Sequence, residues 1–598
     1  MVTVGDRLDR IAARRAPDAY LGAQLRRDGV DEHAGLHPAT ILDELEARND
    51  RAPDVDRTLA LAELNLRAGL VAPAWARDRA IGHYRDAAAY AALALEEPSF
   101  APLDPARVGR AIDLHNDAVG HLVRATWIDD LAPGRTWADT LEPAGVWVTA
   151  SNPFLDPARI ADISPAGDYR VVGMQRWYGG DGLGVPLVVH REIPIDAPKR
   201  PEERYYPRQT WCPATAVARP SAGLAGGAWR RAPVRLELRY PFEENAVDLG
   251  GATLPLASDR TTPLAVHSGH ADLKKIIRAG LLTGQFLGNR LETGIVMLQP
   301  YQPGKIPVVL IHGLNDGYAT WFQVLNHLRN DPELAARYQF WLYFYPTGNP
   351  VIVSAGVLRK AIADARAHFD PGRADPAWDR MVLVGHSMGG LLARVMIQSS
   401  GDRLERTTFT RPLEEIRAGP RLREFLYQTL RFEPVPEVRR VVFVATPHRG
   451  SHAASQLLGR VAGLIVGTTA PIATAAQQIR AENGPDVFQP SFRLRHVTSI
   501  ANLRFDSPAL QMLEHLPFNP TVPYHTVCFM LATAPVPIPT DGVVPYDSAH
   551  LDGAASELIL PGNHLDHQKP EVTAELRRIL RLHLGDAPLP SPQGPSRG

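Results

Sequence analysis

The chain has 598 residues, 45% hydrophobic and 22% charged, enough for several domains with buried cores. A net charge of -1 argues against a nucleic-acid partner or an acidic membrane surface. Two cysteines, Cys212 and Cys528, support neither a disulfide framework nor a cysteine-rich metal site, although one disulfide between them stays open.

The opening MVTVGDRLDRIAARR is basic and amphipathic but lacks the apolar centre of a secretory signal, so the cytoplasm is the default compartment. Residues 1–135 are predicted to be helical, with apolar residues at helical spacing over 41–51, 59–70, 80–95 and 106–126. The stretches 80–95 and 111–125 look like two members of an α-hairpin repeat of tetratricopeptide type, but no period is sustained, and a plain helical packing domain reads as well. Residues 136–262 change character. Short strand-like runs at 146–149, 169–174, 187–190, 214–219 and 234–240, separated by Pro and Gly, predict a β-rich accessory domain. His190, His267 and His270 have no ligand-like neighbours and read as surface or core histidines.

From 263 to 585 strands and helices alternate. Helices are expected at 273–286, 321–329, 357–369 and 572–584, and strands at 294–299, 306–311, 340–345, 381–384, 441–445, 525–531 and 557–560. That pattern predicts an α/β domain with a mostly parallel sheet flanked by helices. Residues 586–598, rich in Pro, Gly and Ser, read as a disordered tail. Two insertions, near 403–437 and 452–519, fall where such a domain can carry a cap. The second holds an uncharged run over 461–479, mixed in composition and broken by Pro471, which argues against a membrane span. This run could be a lid that meets lipid or lines an acyl pocket, or equally a buried helix; peripheral lipid contact is thus left open.

The chemistry is concentrated at Met381–Gly390, MVLVGHSMGG. A short apolar strand runs into Gly385-His386-Ser387-Met388-Gly389, a G-x-S-x-G pattern, and then into an apolar helix. A sharp strand-to-helix turn leaves no room for side chains two before and two after the serine, and its strain presents Ser387 Oγ. An acyl-transfer intermediate needs two donors aimed at its oxyanion. The N–H of Met388 is one, and the loop after the strand ending Ile311-His312-Gly313 offers Leu314 as the other. Asp541, in Thr540-Asp541-Gly542, is the expected acid, with Asp506, Asp547 and Asp552 as alternatives. His564, first histidine after the last strand, is the expected base, with His567 as rival. His564-x-x-His567 with Asp566 could suggest a metal, but the base needs His564 and no thiolate partner exists. With no P-loop and no dinucleotide fingerprint, neither metal nor cofactor is expected.

These pieces, IPVVLIHGLN, VLVGHSMGG, VVFVATPHRGS, TDGVVP and LILPGNH, resemble the α/β-hydrolase superfamily, and within it the lipase-like serine esterases. The resemblance spans residues 306–576. It implies a Ser387–His564–Asp541 triad, an acyl-enzyme and an ester or lipid-like small-molecule substrate. It also implies that the segment 445–451 shapes the site without supplying a catalytic group. An acyltransferase or peptidase would use the same triad. A catalytically inactive interaction scaffold built on the helical region is the remaining alternative.

Overall fold

The computed structural model describes residues 2–4, 19–29, 41–100, 103–126, 136–269, 293–451, 470–490, 503, 507–531 and 539–585, except for single positions or short gaps at 195, 224–226, 228 and 231. The chain forms two compact units, one of Met1–Ala197 and Arg208–Gly269, the other of Pro198–Pro207 and His270–Gly598.

In the first unit the helices Leu42–Arg51, Val55–Val71, Arg77–Glu96 and Pro105–Ala125 pack on one another. Asp54 and Asp104 cap two of them by accepting from Arg57 N and Arg107 N. The small residues Ala87–Ala89, Ala91 and Ala92 are fully buried in Arg77–Glu96, which lets neighbouring helices approach closely. A five-stranded sheet follows the order Val146–Ala150, Val234–Arg239, Gln209–Pro220, Val185–Glu192, Ile160–Pro165. His115, fully buried on Pro105–Ala125, bonds to Ala218 of this sheet at 3.1 Å, so helices and strands share one core. His190 and His267 both pack against Trp211, with ring centroids 4.3 and 5.5 Å away. Cys212 and Cys528 are buried, unpaired thiols, which answers the disulfide question left open by their count.

The second unit holds a seven-stranded sheet: β1 Gly294–Val296, β2 Ile306–Ile311, β3 Tyr338–Phe344, β4 Met381–His386, β5 Val438–Val444, β6 Tyr524–Met530 and β7 Ser556–Pro561. The spatial order is β1-β3-β2-β4-β5-β6-β7; β1 runs antiparallel to β3 and every other pairing is parallel. Every residue of β2, β3 and β4 is buried, as expected of parallel strands covered on both faces. β7, at the edge, is half-exposed. After β3 the chain crosses β2 to lay down β4. The direction in which strands are added to the sheet therefore switches between the parallel neighbours β2 and β4, and the crevice beyond their C-terminal ends is the place such sheets bind ligands. At the opposite, N-terminal end of the strands, where Glu437 leads into β5, Arg366 is buried with Glu437 at 3.1 Å.

The insertion at 403–437 carries the helices Arg403–Thr408 and Pro420–Leu430. Of the uncharged run at 461–479, residues 461–469 lie outside the described residues. The remainder enters the helix Ala470–Asn483, with Ala476 and Ile479 buried. The helix expected at 273–286, Asp506 and the tail also lie outside the described residues. No described helix is long and apolar enough to cross a membrane.

Candidate active site

β4 ends at His386, and the chain turns through Ser387 into the helix Met388–Val395. Ser387 has φ 52° and ψ -123°, a conformation that costs about 1–3 kcal/mol for a side chain-bearing residue. The flanking glycines make the turn sterically feasible. A Cβ at Gly385 would lie 2.5 Å from Gly389 O and Gly390 Cα. At Gly389 it would press on Ile311 O and lie 2.5 Å from His312 O, and at Gly390 it would overlap the Thr446 side chain. The Ser387 N–H donates to Val444 O at 2.9 Å, tying the turn to β5.

Asp541 follows β6 in a tight turn made possible by Gly542 at φ 92°. Its Oδ1 accepts from Val543 N at 2.8 Å and Val544 N at 2.6 Å. Ser451 Oγ donates to Val543 O, so the segment after β5 braces this turn. Asp541 Oδ2 lies 2.7 Å from His564 Nδ1, and His564 Nε2 lies 2.9 Å from Ser387 Oγ. An ionised carboxylate only accepts, so Nδ1 carries the proton and Nε2 is left to accept from the serine hydroxyl. All three side chains are buried. The arrangement can take a proton from Ser387 and stabilise the imidazolium that results. Asp547 and Asp552 are elsewhere: Asp547 is exposed, and Asp552 pairs with His550 at 3.2 Å.

The loop after β2 lies beside the serine. A Cβ at Gly313 would come within 3.1 Å of Ser387 Cβ and 3.0 Å of His386 Nδ1, so glycine lets the two turns touch. His312 stacks on Tyr345 at 4.4 Å, and its carbonyl accepts from Tyr345 Oη at 2.8 Å. Burial pushes the His312 ring down to about 4, and it stays neutral. Among the described residues, neither Leu314 N nor Met388 N has a hydrogen-bond acceptor. Both are therefore available as donors at this end of the crevice.

Sequence reasoning missed what lies behind His564. His386 Nε2–H donates to the main-chain carbonyl of His564 at 3.0 Å. The His567 ring stacks on His386 at 3.9 Å, and its Nε2 lies 2.7 Å from Thr320 Oγ1. Burial, with the neighbouring His567 and His564, holds His386 well below the ordinary histidine range, and burial brings His567 down to about 4. Asp316, pushed up by burial, completes a group whose ligand atoms lie within 4.8 Å of one another. Yet the two rings are only 23° from parallel. Lone pairs in near-parallel, stacked planes do not converge on one ion at a bond length of about 2 Å, so this group is poorly shaped for a metal. The only hint in the sequence was that His386 fills the first of the two variable positions of G-x-S-x-G.

No protein-family model matches the chain, and no curated protein does. Among solved structures, the chain is similar to lipases and esterases. The mature Bacillus licheniformis lipase BlEst2 shares 16% identity over 47% of this chain and 93% of its own, with a TM-score of 0.27. The Staphylococcus hyicus lipase shares 14% over 48% and 96%, at 0.29. The metagenomic carboxyl esterase MGS0156 shares 16% over 52% and 91%, at 0.25.

Proposed function

We propose that this chain is a serine hydrolase of the α/β-hydrolase fold that cleaves carboxylic esters of lipid-like or other small molecules. Ser387 is the nucleophile, His564 the general base and acid, and Asp541 the group that orients and charge-stabilises the histidine. The reading is carried by the unbroken chain of hydrogen bonds from Asp541 through His564 to Ser387, at 2.7 and 2.9 Å. His564 takes the serine proton as Oγ attacks the ester carbonyl. The N–H groups of Met388 and Leu314 receive the oxyanion, each worth about 10²–10³ in rate. His564 then protonates the leaving alkoxide, leaving an acyl-enzyme on Ser387. Water, deprotonated by the same ring, hydrolyses the acyl group and restores the serine.

The test is labelling with a fluorophosphonate, alongside turnover of p-nitrophenyl esters of increasing chain length. Wild type should label stoichiometrically and turn over. Ser387→Ala should do neither, with its melting temperature retained. A wild-type protein that neither labels nor hydrolyses any ester would overturn the reading and favour an interaction scaffold.

A further inference from the structure

His386 stands next to the nucleophile in the chain, yet its ring is engaged with the base. Its Nε2–H donates to the His564 carbonyl, and the His564 N–H donates to Asp541 O at 3.0 Å. The peptide units on both sides of His564 are therefore held, one by the acid's main chain and one by His386. A carbonyl can only accept, so His386 is fixed as the Nε2–H tautomer. Among the described residues its Nδ1 has no hydrogen-bond partner, and it lies against the gap left by Gly313. His567 stacks on its face, and the ring is 2% exposed. His386 thus touches the oxyanion loop, the base loop and the nucleophile turn together.

We propose that His386 is a positioning residue for the base. Its Nε2–H holds the main chain of His564 so that the ring stands at bonding distance from Ser387 Oγ. The inference rests on the triad reading above. A side chain that only filled space would serve equally without a donor. One that positions must offer an N–H to the carbonyl, because a misplacement of about 1 Å in a reacting group can cost about a hundredfold in rate.

The test compares His386→Gln with His386→Met, nearly equal in length and volume and differing in the donor. Enzyme concentration is set by fluorophosphonate titration of the competent fraction, so any misfolded protein is not counted. For a short ester the Met variant should lose ten- to a hundredfold in kcat with KM within twofold of wild type, and Gln should recover several-fold of that loss. The rate of fluorophosphonate labelling should fall in the same ratio. Equal kcat for Gln and Met would overturn the proposal, as would a wild-type kcat in the Met variant. If the triad reading itself fails, wild type does not label. A failure of this inference alone leaves wild type labelled at Ser387 and the two variants alike.

Discussion

Replacing Asp541 with asparagine isolates the electrostatic part of the site from its architecture. Oδ1 receives the two N–H groups of Val543 and Val544, at 2.8 and 2.6 Å, and Oδ2 receives the His564 Nδ1–H at 2.7 Å. Asparagine can leave its carbonyl on the two amides, so the turn persists. Its NH₂ then faces Nδ1, which must become the acceptor. The ring proton moves to Nε2, and the ring can no longer accept from Ser387 Oγ. Losing one charge-assisted hydrogen bond is worth about 1.5–3 kcal/mol. Disabling the general base should cost about 10²–10⁴ in kcat, or roughly 3–5 kcal/mol of barrier. The assay is kcat and KM for p-nitrophenyl butyrate from pH 7 to 9, with the melting temperature measured calorimetrically. The expected variant melts within a few degrees of wild type, keeps KM, and loses at least a hundredfold in kcat. A kcat within threefold of wild type would show that the carboxylate does not set the histidine's proton.

Gly389→Ala would drive a Cβ into the carbonyls of Ile311 and His312, which belong to a buried strand end and cannot retreat. A stability loss of roughly 1–3 kcal/mol with lost activity is expected, whereas Gly372→Ala, whose Cβ would meet no described atom within 4 Å, should be neutral. Matching urea midpoints for the two would refute the steric account. Stability should also depend on pH in one direction. His312 and His567 have folded values of about 4 against an ordinary 6.5. Between those values the unfolded chain binds protons that the buried rings refuse. Their contribution is therefore complete above about pH 6.5 and is lost as pH falls through 4, at roughly 3 kcal/mol per ring. Urea midpoints should drop from pH 7.5 to 4.5, and a flat profile would refute the assignment of neutral buried rings.

The alternation of the second unit was readable because β2 and β4 are continuous apolar runs, as strands buried on both faces must be. Ile160–Pro165 was not readable. With Asp162, Ser164 and Pro165 it lacks a strand's composition, and it is recruited by pairing with Val185–Glu192. Val55–Val71 begins earlier than its apolar period suggests because Asp54 caps it, a polar signal that periodicity ignores. Ser387, Asp541 and His564 were legible because each follows a strand in a turn-forming context, and the structure brings all three within hydrogen-bond reach. The bond from His386 to the His564 carbonyl joins positions 178 apart and involves a main-chain atom, so no local pattern could announce it.

β7 is an edge strand, paired among the described residues with β6 alone, and His564 follows it. The serine turn is built by the central strands β2, β4 and β5. On the proposed mechanism, the nucleophile is therefore formed long before it is armed. The 177 positions between Ser387 and His564 take roughly 10–35 s to synthesise at about 5–20 residues per second. Through that interval a nascent chain would hold Ser387 without His564. On the same layout, loss of the edge strand β7 alone would displace His564 and leave the central strands paired.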